Sequence, residues 1–297
     1  MASDTSKPRV HHPATVDEAI ALCWELDGQY LAGGTWIMRG IARGHVAPAY
    51  IALDGVAALA RFSQVADGDE AKLWVGARVT HARLAADLDH PIGRIQFGAL
   101  QQAAAQSAFT QVRNVATIGG NVAVRGFPDA DLVPALIALD AVVEVVSVTD
   151  GSVRMPVAEY VSERGRLAPE ALVTGFEILA PTYQRSGFAR LTVRKGGEYP
   201  IVNAAAMIDE SGVRAPRLVI GAVQELPVRC TEAEALLGLG LPDEEMIVAA
   251  ARRAGAATVG RQSLEAPGWY RSAVAPTAVA AALRACLPAN RGENHEH

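Results

Sequence analysis

Leu31-Ala32-Gly33-Gly34-Thr35 and, more than eighty residues later, Thr117-Ile118-Gly119-Gly120-Asn121 are the two stretches on which the fold turns. Adjacent glycines leave the main chain uncovered, so its N–H groups can approach a bulky anion closely. Thr35, Thr117 and Asn121 add short side chains that can donate to phosphate oxygens. Folded together, two such turns would cradle a long diphosphate-containing cofactor. One alone would read as a tight connection.

Around the first turn the pattern is that of a small α/β unit. Thr15-Val16-Asp17-Glu18 reads as a capping box opening a helix through about Leu26, with Ala19, Ile20, Cys23 and Trp24 as its buried stripe. A strand over 29–32 leads into the glycines, a helix over 36–43 leaves them, and a second strand covers 50–53. A second unit begins near Leu59, with a strand over 73–77 and a helix capped by Thr80 that carries Leu84, Ala85 and Leu88. An alanine-rich helix over 96–107 follows, then an extended stretch up to Thr117. Beyond the second turn come an apolar helix over 131–139, a β-branched strand over 141–146 and the turn Thr149-Asp150-Gly151.

A third unit starts near Pro181. Segments 187–193, 201–208 and 217–223 read as strands, with Glu210-Ser211-Gly212 as a hairpin turn. Three helices follow. The first opens at the capping box Thr231-Glu232-Ala233-Glu234, the second covers 243–254, and the third covers 270–286 with Pro276 as a break or kink. The division expected is 1–180, made of subdomains at about 1–55 and 56–180, then a C-terminal α+β domain at 181–288 and a flexible tail at 289–297.

With 297 residues, half of them hydrophobic, the chain can bury a large core. A net charge of −5 with well-mixed signs argues against a nucleic-acid binder. No apolar run is long enough to span a membrane, and the start, Met1 to Lys7, is not a secretory signal, so cytoplasm is the expected location. Cys23, Cys230 and Cys286 are far apart and form no Cys-x-x-Cys pair, which argues for small buried thiols over a metal or cluster site. The histidines, among them His11, His45, His81 and His90, show no His-x-x-x-His spacing, and His295 and His297 lie in the polar tail. There is no Gly-x-Gly-x-x-Gly turn, no P-loop and no Gly-x-Ser-x-Gly elbow.

What the residues resemble is the FAD-binding subunit of the molybdenum hydroxylases. That family includes the medium subunits of carbon monoxide dehydrogenase and of bacterial xanthine dehydrogenase. The resemblance rests on Leu31 to Thr35 together with Arg113-Asn114-Val115-Ala116-Thr117-Ile118-Gly119-Gly120-Asn121. It continues through Asp131-Leu132 and 135–141, then 188–195, Glu198, Val202-Asn203-Ala204-Ala205 and Tyr270-Arg271, and so covers nearly the whole chain.

The resemblance implies an α+β architecture: a two-subdomain FAD-binding fold, PCMH / vanillyl-alcohol-oxidase-like, followed by an antiparallel sheet with helices. It implies that Leu31, Ala32, Gly33, Gly34, Thr35 and Trp36 wrap the FAD diphosphate and ribityl region. Thr117, Ile118, Gly119, Gly120 and Asn121 would form the opposing wall. Asp131 would accept from a sugar or ribityl hydroxyl, or serve as a helix N-cap. Phe176 would pack on the adenine or isoalloxazine edge. Arg190, where relatives commonly carry Lys, would place a cation near the flavin pyrimidine, unless Arg190, Arg194 and Lys195 are a solvated charge cluster. Trp36 could equally be core. No catalytic side chain and no metal ligand is expected in this chain.

Two departures from the family pattern stand out. The segment between Asn121 and Asp131 is one residue longer, and it carries Val124-Arg125-Gly126-Phe127 where small polar residues are usual. Either the loop holds the cofactor differently or it presents Arg125 to a phosphate or an acceptor.

In function, the resemblance implies an oxidoreductase subunit that works beside a large molybdenum-pterin subunit and a small subunit with two [2Fe–2S] clusters. The family assembly is a dimer of heterotrimers. Electrons from the clusters would reach FAD here and leave to an external acceptor. The alternatives are a stand-alone flavoenzyme of the vanillyl-alcohol-oxidase type and, in a third class, a flavin-dependent scaffold or sensor.

Overall fold

The computed structural model describes residues 8–67, 70–194 and 197–288. Met1 to Lys7, Lys195 of the charge cluster and the tail with His295 and His297 lie outside the described residues.

Three sheets follow one another along the chain. The first is small and parallel: β1 (Arg9–His11), β2 (Gln29–Leu31) and β3 (Ala49–Ala52) in the order β1-β3-β2. Parallel neighbours need crossovers, and the helix Val16–Glu25 supplies the first. Thr15 caps it by accepting from the Glu18 N–H, and Glu18 accepts in turn from the Ala14 N–H. Ala19, Ile20 and Cys23 are buried against β3, all four residues of which are buried. Trp24 corrects the expected stripe. It stands in the last turn, past the sheet, and is 58% exposed beside Asp27, Pro169 and Glu170. The helix after the first glycines is also shorter than expected, Ile37–Ile41.

The second sheet is antiparallel: β4 (Phe62–Asp67), β5 (Glu70–Gly76), β6 (Val142–Ser147), β7 (Gly151–Pro156) and β8 (Leu172–Pro181), in the order β4-β5-β8-β6-β7. The sequence reading found β5 and β6 but not β4, β7 or β8. β7 is exposed over most of its length, so it shows no apolar alternation. Helices His81–Asp87, Gly98–Gln106 and Leu132–Ala138 fill the main core with Leu84, Leu100, Leu132 and Leu136. The helix expected over 96–107 is two, Pro91–Gln96 and Gly98–Gln106, and the stretch expected to be extended holds the helix Thr110–Arg113.

The third sheet is antiparallel: β9 (Gln184–Leu191), β10 (Val202–Asp209), β11 (Arg217–Gly221) and β12 (Val228–Arg229), in the order β12-β11-β10-β9. Every residue of β10 is buried. Helices Thr231–Leu237, Glu244–Ala256 and Gly268–Cys286 cover it. Two local expectations fail here because tertiary contacts override them. Thr231 is not a cap: Cys230 holds the cap position without a side-chain bond, and the Glu234 carboxylate accepts from the Leu218 N–H and from Arg229. Nor does Pro276 break the last helix. Its ring sits against Gly255, and Ala275, Ala278, Val279, Ala282 and Leu283 around it are buried. Fully burying a Leu or Val stabilises by about 1.5–3 kcal/mol each, which offsets one missing helix bond. The sheets thus run from a small parallel unit through two antiparallel ones, the α+β architecture expected.

Candidate functional site: a cleft between the glycine segments

Between these layers lies a cleft of about 1160 Å³, above the roughly 300–1,000 Å³ usual for small-ligand pockets. Ala32, Gly33, Gly34, Thr35, Trp36, Thr117, Gly119, Gly120, Asn121, Asp131 and Arg190 line it. Three of the expected residues are absent from the lining. Leu31 has its Cδ1 beside Gly34, and Ile118 and Phe176 are fully buried in the main core. Phe176 is held there by β8, a strand that pairs with β5 on one side and β6 on the other.

The two glycine segments meet. A Cβ at Gly33 would lie 1.9 Å from the Val115 carbonyl oxygen, so the first loop rests directly on the main chain leading into the second segment. Gly34 has φ +70°, where glycine is favoured on conformational grounds. From Gly33 to Ile37, no main-chain N–H donates to an acceptor among the described residues. Five consecutive free donors lining a cleft form a nest for an anion.

The second segment is built otherwise. Gly119 and Gly120 do not form a turn; they lie in the helix Ile118–Ala123, which Thr117 caps by accepting from the Gly120 N–H. Ile118 donates to the Val79 carbonyl, Gly119 to the Ala77 carbonyl and Asn121 to the Thr117 carbonyl. The expected main-chain donors are therefore engaged by the fold. What faces the cleft is the Thr117 hydroxyl, the Asn121 amide and the bare Cα of Gly120. A Cβ at Gly119 would meet Ala77 at 2.6 Å, whereas one at Gly120 would meet only the Thr117 hydroxyl oxygen, at 3.0 Å.

Asp131 stands at the N-cap position of the helix Leu132–Ala138 without making a cap bond. Asn121 Oδ1 accepts from the Leu132 N–H in its place. Asp131 instead accepts from Asn203 at 2.9 Å and lies 3.4 Å from Arg190 Nε. Burial pushes its carboxyl up to about 6, against the pull of Arg190. Arg190 is not part of a solvated cluster: its side chain is 7% exposed, whereas that of Arg194 is 82% exposed. Arg190 donates to the Gln106 and Glu198 carbonyls, tying β9 to the helix Gly98–Gln106 and to the loop before β10.

Several lining residues carry no clear signal in the sequence. His81, directly after the cap Thr80, is buried with Nδ1 2.6 Å from the Ser107 hydroxyl. Burial holds it at about 4, below the ordinary imidazole value. Trp36, 36% exposed and so not core, stacks on Phe127 at 4.7 Å; Phe127 meets Tyr199 at 5.6 Å, and Arg39 lies over both Trp36 and Tyr199. These four come from all three sheet regions and converge at one end of the cleft. Arg271, fully buried, donates to the Pro200, Ile201 and Ala222 carbonyls and fixes the wall behind them.

A nest of free donors, an opposing wall with one bare Cα and a volume of this size fit a dinucleotide. Comparison with known proteins agrees. Residues 5–181 match the model of the FAD-binding domain in molybdopterin dehydrogenase, and residues 188–286 match that of the carbon monoxide dehydrogenase flavoprotein C-terminal domain. The chain belongs to the FAD-binding subunits of the molybdopterin dehydrogenases. It is 27% identical over 231 residues to the xanthine dehydrogenase FAD-binding subunit of Escherichia coli O157:H7, covering 75% of this chain and 77% of that one. Among solved structures, it is similar to a chain of carbon monoxide dehydrogenase from Hydrogenophaga pseudoflava, with a TM-score of 0.83 and 26% identity over 95% of this chain and 97% of that one. It is also similar to a chain of quinoline 2-oxidoreductase from Pseudomonas putida 86, with a TM-score of 0.80 and 26% identity over 95% and 99%. FAD is thus the cofactor of the family, and the protein is an oxidoreductase subunit. Among the described residues, no helix is long and apolar enough to cross a membrane.

Proposed function

We propose that this chain is the electron-transfer subunit of a molybdenum hydroxylase. It would receive electrons from the [2Fe–2S] clusters of a small partner subunit and deliver them to an external acceptor, while a large molybdenum-pterin subunit oxidises the substrate. The assembly proposed is a dimer of heterotrimers. The observation that carries the reading is the run of free N–H groups from Gly33 to Ile37 in a cleft that the bare Cα of Gly120 also lines. FAD bound there supplies reversible one- and two-electron chemistry.

This chain's own residues bind and orient. The 33–37 loop holds the diphosphate through main-chain donors. Thr117 and Asn121 donate from the opposite wall. Asp131, fixed by Asn203, accepts from a hydroxyl of the cofactor. Arg190 keeps positive charge behind that carboxylate, and the Trp36, Phe127 and Tyr199 rings exclude water at one end. The boundary near 181, where the second sheet ends at Pro181 and the third begins at Gln184, is proposed as the seam between the FAD-binding and C-terminal domains.

Titration of the full chain with FAD, FMN and riboflavin tests the reading. FAD is expected to bind in a 1:1 ratio and to colour the protein yellow, with FMN and riboflavin much weaker because they lack the diphosphate. Equal binding of all three would sink the diphosphate cradle. Substrate oxidation is expected only when both partner subunits are added; oxidation by this chain alone would overturn the division of labour.

A further inference from the structure

A second, smaller cavity, of about 140 Å³, lies at the C-terminal end of the helix Val16–Glu25. Cys23, Trp24, Asp27, Gly28, Pro169 and Glu170 line it. Gly28 and Pro169 also line the cofactor cleft, but the other four do not. The chemistry of this cavity is therefore carried by side chains that the cleft does not use.

Its floor is built from buried groups. Cys23 is buried, and its thiol donates to the Gly28 carbonyl at 3.2 Å, while the Gly28 N–H donates to the Cys23 carbonyl at 2.9 Å. Glu170 is 1% exposed. Its main chain is pinned by Tyr30, whose hydroxyl donates to the Glu170 carbonyl at 2.6 Å. Neither oxygen of the Glu170 carboxylate has a hydrogen-bond partner among the described residues. The rim is exposed: it holds Trp24 and Asp27, the latter at φ +46°.

Both charged residues that line the cavity are acidic, and no lysine, arginine or histidine lines it. A carboxylate taken out of water and left without donors is unfavourable unless a cation answers it. The helix end adds partial negative charge, with no basic side chain in its last turn. A metal ion does not suit the set. Among the described residues no three His, Cys, Asp or Glu side chains are placed to hold one, and the Cys23 thiol is engaged by Gly28.

We propose that this cavity binds a guanidinium group. Glu170 is its bidentate acceptor, Asp27 a second counter-charge and the Trp24 indole the face on which it stacks. Two free carboxylate oxygens match the planar fork of a guanidinium. An exposed indole suits a delocalised cation, which is more weakly hydrated than an ammonium. The volume takes a headgroup of that size and not a nucleotide. Two sources carry this chemistry, a small free guanidine and the arginine side chain of another chain.

The test is calorimetric titration of the full chain, loaded with FAD, with methylguanidinium, methylammonium and N-acetyl-arginine amide at constant ionic strength. One saturable equivalent of methylguanidinium is expected, with methylammonium about tenfold weaker or more. Glu170→Gln should weaken methylguanidinium about tenfold or more, and Trp24→Ala, at an exposed position, about threefold. Asp27→Asn, which tolerates the left-handed backbone, should also weaken it about threefold. Flavin content should be the same in all three variants. Without ligand, Glu170→Gln should melt higher than the unsubstituted protein, because it removes the unanswered charge. A lower melting temperature there would mean that the fold already answers the carboxylate, and would overturn the site. So would an absence of saturable binding, which leaves the cavity to water, equal affinity for methylammonium, or binding that displaces FAD. The FAD-free chain should give the same titration, so the site stands or falls apart from the cofactor. The blocked arginine identifies the source. Binding as tight as that of methylguanidinium marks an arginine of another chain; methylguanidinium bound and the amide refused marks a small free guanidine.

Discussion

At 33–34 the chain is a loop whose donors are free; at 119–120 it is the first turn of a helix whose donors are engaged. Both are Gly-Gly followed by a short polar residue, and both line the same cleft. Each of the four glycines nevertheless answers a different demand. Gly33 lets two main chains touch, Gly34 adopts a left-handed conformation, Gly119 lets a helix lie on the end of a strand, and Gly120 leaves space open toward the cleft. A glycine pair that marks a cofactor site is therefore not four equivalent contacts with the cofactor.

The comparison is broken most severely at Gly33. A Cβ there would lie 1.9 Å from a backbone oxygen, and no side chain can yield to relieve it. Gly33→Ala is expected to destabilise the protein by more than about 3 kcal/mol, read as a fall in the denaturation midpoint, with loss of flavin as a consequence. At Gly120 the fold and the cofactor part company. Gly120→Leu should lower FAD affinity on the order of a thousandfold, about 4 kcal/mol. The unfolding free energy of the FAD-free chain should stay within about 1 kcal/mol, because a side chain is favoured over glycine inside a helix. Equal losses of stability and of affinity in this variant would mean that Gly120, too, is a packing glycine.

Charge sharpens the contrast. Residues 31–37 carry no titratable side chain, whereas two buried titratable groups back the other wall. Asp131 is raised from 3.8 to about 6. The native state therefore holds a proton that the unfolded chain has released, and stability falls as pH rises through that window. His81 is lowered from 6.5 to about 4. There the unfolded chain takes the proton first, and stability falls as pH drops from 6.5 toward 4. The two slopes oppose each other between about pH 4 and 6. Each is worth on the order of 3 kcal/mol across its window. Relative to the unsubstituted protein, Asp131→Asn should gain stability as pH rises, and His81→Gln should gain it as pH falls. Denaturant midpoints measured across pH 4–7 check both signs, and parallel curves for all three proteins would refute the burial argument.

Gly119→Ala is expected to cost about 2 kcal/mol, since a methyl group would meet Ala77 Cβ at 2.6 Å and the Ala77 carbonyl at 2.8 Å. Flavin should be retained once the variant is folded. This is where the sequence misleads: by motif, Gly119 and Gly120 look equivalent, and only the strand end at Ala77 tells them apart. Features decided within one turn of chain were legible. Thr15 and Thr80 each cap the helix that follows, and Gly212 turns the hairpin between β10 and β11. Features decided by distant partners were not. Phe176 looks available for a ring until β5 and β6 close over it, and Glu234 looks like part of a cap until Leu218 and Arg229 claim its carboxylate. The His81–Ser107 pair spans 26 residues, and the ring cluster of Trp36, Phe127 and Tyr199 spans three sheet regions. Neither leaves a periodicity or a spacing to find.

The mildest expected effect is at Gly34, and it isolates the conformational part of the loop. A Cβ there would meet Leu31 Cδ1 at 3.4 Å and Met38 Cγ at 3.8 Å, ordinary contacts. What remains is the left-handed backbone at φ +70°, which costs an ordinary L-residue about 1–2 kcal/mol and asparagine less. Gly34→Ala should therefore lower stability by about 1 kcal/mol and Gly34→Asn by less. Both variants should keep the orientation of the 33–37 donors and hence most of the FAD affinity. If Gly34→Ala instead lost flavin while Gly34→Asn kept it, the nest would depend on backbone strain at this residue and not on the mere absence of side chains. The contrast between a free-donor loop and an engaged helix would then lie in geometry that glycine permits, rather than in space that glycine leaves.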